Sequence, residues 1–361
     1  MSRQPERGER IDSLDVFRGL AIVAVVLIHV TGHFLRVITV DSRLWVATAF
    51  TNRALQFAVP AFLLLSALLN LRPLLQGRPA GPWFGRRIRR ALWPYVVWSV
   101  VFFLIAHWDR LAEATPRLAL EKLVEGNAYY HLYFLLLVLQ MYVLLPLLAP
   151  VFRRRPPFWL TALVTLALQF AVYHANKAWF QVPAPGSLIV WYLPSVALGC
   201  WLASRWDGLH ETIRRAFLPA VLCGAAAMAV YGPTAMALMR REPLSTLVHQ
   251  ASLAVYAAAA ACALLAVAAW PGLGRLVPPL RSLGKRSLEI YIAHPIAILL
   301  MDGWLHFPPR LPVPAIMAAY TVACLLFPLA LAWLVARLGL SRWVWGVDDP
   351  APAAHNGRAP A

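Results

Sequence analysis

Charge is scarce in this chain. Of 361 residues, 14% are charged and 60% are hydrophobic. That balance excludes a soluble globular protein and points to a polytopic membrane protein. Acidic residues are the scarcer sign, 16 against 33 lysines and arginines. Cysteine is nearly absent as well. Cys200, Cys223, Cys262 and Cys324 fall in or beside apolar runs and none forms a CxxC pair. Neither a disulfide framework nor a thiolate metal site is supported, and the four read as small buried hydrophobes. No HExxH motif and no tandem repeat occur.

What is present is a series of apolar runs. At about 20 residues per span, ten candidates fall near 14–36, 46–70, 91–107, 131–151, 158–175, 187–204, 215–238, 248–270, 287–303 and 312–337. The expected fold is therefore all-α, with about ten transmembrane helices. The first run is too long, and too poorly followed by small residues, to be a cleaved signal peptide. Pro60, Pro94, Pro146, Pro194, Pro295 and Pro328 lie inside the runs. Broken helices at membrane depth are tolerated around a polar cavity, which suits an intramembrane enzyme or a transporter.

The formal charge of +17 invites a nucleic-acid reading, but its distribution argues against one. Most lysines and arginines fall in the N-terminal region, in alternate connections and near the C-terminal end. That is the positive-inside pattern, with both termini cytoplasmic. The basic charge encodes topology and contact with anionic lipid headgroups. The connection 108–130 carries Asp109, Glu113, Glu121 and Glu125; it reads as a solvated outer loop or as a cover over an opening. Residues 1–340 form one membrane domain. The tail 341–361, rich in Ala, Pro and Asp, is expected to be disordered.

Three segments carry candidate chemistry. In the first run Arg18 and His29 are separated by ten residues, nine of them apolar. Eleven residues rise about 16 Å and turn about three times, so both side chains share a helix face. An ionisable group at mid-membrane is a functional candidate by default, and histidine can take and return a proton near neutrality. Asp15 is placed to pair with Arg18, and a plain interfacial anchor is the alternative. His33 follows His29 by one turn. A metal pair is conceivable, but no carboxylate set accompanies it. His29 as proton acceptor, with His33 lining the acceptor side, is preferred.

The second segment is the basic run 83–90, WFGRRIRR. Arg86 with Arg89, and Arg87 with Arg90, share helix faces and could grip phosphate oxygens bidentately. Composition alone favours a lipid-headgroup anchor. The third is SLEIYIAHP over 287–295, where Tyr291 and His294 share a face. Substrate contact and a structural hydrogen-bond network remain equal readings.

Taken together, these pieces resemble the membrane acyltransferase-3 family, bacterial proteins that O-acylate surface and secreted glycans. LDVFRGLAIVAVVLIH resembles its first-helix signature. VPAFLLLSALL resembles the second-helix motif around Ser66, with Ala67 where the family usually has glycine. FGRRIRRALWPYVVWS, HLYFLLLVLQMYVLLPLL and LGKRSLEIYIAHP follow in the expected order. The resemblance implies a bacterial inner-membrane acyltransferase without a fused esterase-like domain. It implies Arg18 and His29 as the functional pair, and the arginine run, matched best by Arg87 and Arg90, as the contact for an acyl-CoA donor, most often acetyl-CoA. No bound cofactor and no metal are expected. The expected partners are membrane lipids, acyl-CoA and a carbohydrate or lipid-linked glycan acceptor. Export of a glycan or small solute by a transporter is the alternative.

Overall fold

A computed structural model describes residues 7–110, 114–304 and 311–347; Glu113 and the tail beyond 347 lie outside them. Among the described residues there are helices and turns but no strand. The chain is an all-α polytopic membrane protein. Eight helical segments are long and apolar enough to cross a membrane. Two of the ten expected spans fall short of that standard. Ile189–Ala203 is a shorter apolar segment, and Ser287–Trp304 carries Glu289 and Asp302 within its 18 residues.

In chain order, α1 spans Arg7–Phe34, α2 Arg43–Ala54, α3 Ala58–Leu75, α4 Ala80–Ala106 and α5 Pro116–Glu125. Then come α6 (Tyr133–Arg153), α7 (Phe158–Ala175), α8 (Leu193–Ala203), α9 (Leu209–Arg240) and α10 (Thr246–Ala268). The last four are α11 (Val277–Lys285), α12 (Ser287–Trp304), α13 (Val313–Arg337) and α14 (Ser341–Val344). The basic run 86–90, expected before a helix, is helical itself, because α4 begins at Ala80.

The α1 helix is the most buried of the spans, and its placement is set at three points. Near its start it meets α11 through two glycines. A Cβ on Gly19 would lie 2.0 Å from the Leu280 carbonyl oxygen, and one on Gly284 would lie 1.8 Å from that of Asp15. Arg281 then pairs with Asp12 at 2.7 Å. Near its end, Asn52 of α2 donates to the Ile28 carbonyl at 2.8 Å and to the Thr31 hydroxyl at 2.9 Å. Between these points α1 presents Phe17, Ala21, Ile22, Val26 and Val30, all fully buried, to its neighbours. A similar close approach joins α3 to α8. Ala67 is fully buried, and a Cβ on Gly199 would fall 2.2 Å from the Leu64 carbonyl oxygen. The small residue that permits contact stands here on α8, opposite Ala67.

Two breaks in the helices are informative. A 3₁₀ turn at Leu55–Phe57 separates α2 from α3, just before Pro60. Short turns at Pro185–Ser187 and Ile189–Tyr192 precede α8, whose first turn holds Pro194. Pro194 therefore opens a helix, where its missing N–H costs nothing. Gln140 of α6 supports this irregular stretch. It donates to the Ser187 carbonyl at 2.7 Å and accepts from the Ile189 N–H at 2.8 Å. Non-helical backbone within a membrane needs such partners.

Two expectations are corrected. The first residues of the expected disordered tail are ordered. Trp93 donates to the Trp343 carbonyl and Trp98 to that of Val344, while Trp345 stacks on Trp98 and is 1% exposed. Indole N–H groups satisfying the end of a short helix explain this order, since residue composition misses a docking contact. Second, Cys223 is exposed, whereas the other three cysteines are buried.

The glycine contact predicts that Gly284→Val will destabilise the fold by more than the 1–3 kcal/mol typical of overpacking, because backbone oxygen must move. Gly81→Ala, which meets nothing within 4 Å, should leave thermal unfolding of the detergent-solubilised protein unchanged. Equal melting temperatures for the two variants would refute the role given to Gly284.

Candidate active site

The α1 helix carries the site along one face. At its basic end, Arg18 donates to the buried Asp15 carboxylate at 2.8 Å and is itself about a third exposed. Arginine has five N–H donors, so most of them remain for a ligand. Across from it stands Tyr142 of α6, whose hydroxyl contacts the Arg87 guanidinium, with Arg18 in electrostatic range. Two guanidinium groups from α1 and α4 thus flank one phenol. Asp15 offsets part of this charge, and Arg87 with the remaining donors of Arg18 leaves a net positive site that favours an anion. Of the four candidate arginines, Arg87 is half-buried here, whereas Arg86, Arg89 and Arg90 are exposed.

His29 lies about 16 Å further along α1. Its ring stacks on His294 of α12 at 5.0 Å between centroids and meets Tyr130 at 4.8 Å. His29 keeps accessible surface although its neighbours are packed, because it borders a cavity of about 140 Å³. That cavity is also bordered by Gln56, Pro60, Tyr133, Pro194, Ser195 and Gln250. Both helix breaks described above therefore border it.

His294 and Tyr291 sit behind His29, both buried. The His294 Nδ1 contacts the Ile290 and Tyr291 carbonyls at 3.0 and 2.8 Å. Carbonyls only accept, so Nδ1 carries the proton and Nε2 is the bare nitrogen. That Nε2 has no partner among the described residues. The Tyr291 hydroxyl donates to the His131 carbonyl, and His131 Nε2 donates to the Ile292 carbonyl at 3.1 Å. Of the two readings that the sequence left open, the contacts of the SLEIYIAHP segment are those of a structural network. Its Tyr291 belongs to a structural network, and its His294 touches the candidate base.

His33 parts from His29. Its Nε2 lies 3.2 Å from the Asp302 carboxylate, which also accepts from the Tyr320 hydroxyl at 2.7 Å. The pair spaced by four residues therefore does not act on a shared ligand. Among the described residues no three His, Cys, Asp or Glu side chains gather as a metal site. Ser66 is half-buried on α3, away from the residues that border the His29 cavity.

Several site residues escaped sequence reasoning. Tyr142, His131 and Gln140 sit within an apolar span and look like ordinary interior residues. Tyr129 and Tyr130 belong to the connection read as a solvated outer loop or as a cover over an opening. Within it α5 is tied down by the Tyr95 hydroxyl, which donates to the Leu123 carbonyl. The loop then turns inward, so that Tyr130 reaches His29. Partial burial pushes the Tyr129 hydroxyl up from its ordinary range, which keeps it protonated as a donor at neutral pH. Asp302 stood in a run marked only by its histidine motif.

Residues 11–336 match the family model described as an acyltransferase domain. The chain belongs to the acyltransferase-3 family. It is a multi-pass membrane acyltransferase, and the match covers every element from α1 through nearly all of α13. No curated protein and no solved structure matches it.

The network behind the site yields a stability test. Tyr291→Phe leaves the His131 carbonyl without its hydroxyl donor and should cost about 1 kcal/mol. The check is a lower thermal midpoint in detergent. An unchanged midpoint would remove Tyr291 from the supporting network.

Proposed function

We propose that the acyltransferase moves an acyl group, most often acetyl, from a cytoplasmic acyl-CoA to a hydroxyl of an exported or cell-surface carbohydrate in a bacterial inner membrane. The observation that carries the reading is the arrangement of α1, with an arginine pair for an anion at one end and an accessible histidine beside a cavity at mid-span. The donor's phosphates dock between Arg18 and Arg87, with Arg86, Arg89 and Arg90 adding exposed positive charge at the entrance. Guanidinium groups match phosphate oxygens in geometry and charge. The thioester arm then extends along α1 toward His29.

His29 accepts the proton of the acceptor hydroxyl as its oxygen attacks the thioester carbonyl. The new oxygen–carbon bond forms, the carbon–sulfur bond breaks, and the proton passes from His29 to the departing thiolate. Nothing is left over, so one histidine completes a turnover. Such a base typically contributes 10²–10⁴-fold. His294 and Tyr130 hold the ring in place. Arg18 steadies the donor and the negative charge that develops on it. A cavity closed to bulk water strengthens these interactions and limits hydrolysis of the thioester. His33 lines the acceptor's approach, with Asp302 fixing its orientation.

In liposomes with acyl-labelled acetyl-CoA and carbohydrate acceptors, His29→Ala should lower acceptor-dependent CoA release by 10²–10⁴-fold. Arg87→Ala should raise the KM for acetyl-CoA, whereas Arg86→Ala should change it little. Full transfer by folded His29→Ala and Arg18→Ala proteins would overturn the mechanism. Glycan flux without CoA consumption would point to export instead.

A further inference from the structure

The cavity beside His29 has an unusual wall for a space inside a membrane bundle. Apolar side chains alternate on it with polar ones that carry no formal charge: among the bordering residues there is no Asp, Glu, Lys or Arg. Three glutamines reach it from separate elements, Gln56 from the turn before α3, Gln169 from α7 and Gln250 from α10. Ser195 joins them from the first turn of α8. Polar groups at membrane depth are costly unless they find partners, so each one needs an account.

Their partners inside the protein are few. Ser195 is 3% exposed and makes no hydrogen bond among the described residues, nor does Gln250. Gln56 reaches Asn52 only at 3.4 Å. The Gln169 amide nitrogen donates to the Val190 and Trp191 carbonyls at 3.2 Å, so this glutamine is already partnered. Of these four groups, Ser195 and Gln250 stand without a hydrogen-bond partner among the described residues, beside the accessible His29.

Resting on the function proposed above, we infer that this cavity is the acceptor subsite and that it selects an uncharged, polyhydroxylated ring. Hydroxyls on such a ring both donate and accept, as do primary amides and serine. A neutral sugar exchanges part of its water for these partners and carries no charge that needs a counter-ion. A uronate or a protonated amino sugar loses its hydration and finds no counter-charge on the wall, which disfavours entry. Gln250 and Ser195 are thus specificity-determining residues, and they act on acceptor binding, not on the proton transfer.

The test uses the full chain in nanodiscs with acetyl-CoA and three acceptors: a methyl glucoside, the matching methyl glucuronide and the matching methyl glucosaminide. The wild type should use the neutral glycoside at least about tenfold better than either charged one. Gln250→Leu should lower kcat/KM for the neutral glycoside roughly tenfold, mainly through KM, as expected when a buried hydrogen bond to substrate is lost. Gln250→Glu should shift preference toward the amine. Equal use of all three acceptors, or unchanged constants in both Gln250→Leu and Ser195→Ala, would overturn the inference and leave the acyl-CoA reading intact. No CoA release from folded wild type with any acceptor would overturn the acyl-CoA reading and the subsite together.

Discussion

The close approach of α1 and α11 is the constraint on which the site depends. Gly19 and Gly284 remove two side chains from the interface, so that each helix packs directly on the other's carbonyl oxygens. No larger residue fits at either position without moving backbone. The contact fixes both the depth and the rotation of α1, and on a helix rotation decides which face every later residue presents. With Gly19 against α11, Arg18 faces Tyr142 and His29 faces the cavity. Asn52 clamps the far end of the same helix through Ile28 and Thr31. The α1 helix is held at both ends and serves as a ruler between anion site and base.

The cavity follows from breaks placed where a continuous helix would have filled the space. The turn before α3 and the turns before α8 both border this space, and Pro60 and Pro194 sit at the cavity wall. Each break frees backbone groups that hydrocarbon cannot satisfy. Gln140 satisfies two of them from α6 and Gln169 takes two more from α7. Gln140 is therefore structural, and Gln169 has structural work as well as a place beside the cavity. This double duty is one physical reason for polar residues in helices otherwise built of Leu, Ala and Val.

Much of this was legible in the chain. The apolar runs gave the helices because hydropathy over about 20 residues reports directly on burial in lipid. The Arg18–His29 spacing gave one shared face because helical periodicity is local. What was hidden depends on tertiary contact. The break near residue 188 reads as a continuous span, since its supporting partner, Gln140, is almost fifty residues away. The inward turn at Tyr129 and Tyr130 looks like a loop by composition, and only the anchoring of α5 turns it toward His29. The tail after Ser341 looked disordered because its indole partners, Trp93 and Trp98, lie some 250 residues earlier. The arginine run stood out in the sequence, with Arg87 and Arg90 matched best by the resemblance, yet nothing local told those two apart. Packing of α4 against α6 separates them, turning Arg87 inward to Tyr142.

The three histidines near mid-span illustrate why environment, not residue type, assigns roles. His131 and His294 are fully buried, and backbone carbonyls fix the donor nitrogen of each. Their hydrogen bonds are spent on holding α12 against the start of α6 and on fixing their own rings. Neither touches the cavity. His29 has ring contacts on one side and open space on the other, so it alone can meet a reacting hydroxyl without moving a neighbour. A base must be within hydrogen-bond reach of the proton it takes before its affinity for that proton matters. By that geometric criterion His29 is the member that the proposed mechanism uses. The other two belong to its support, and the first and last motifs of the chain meet where the ring must be held still.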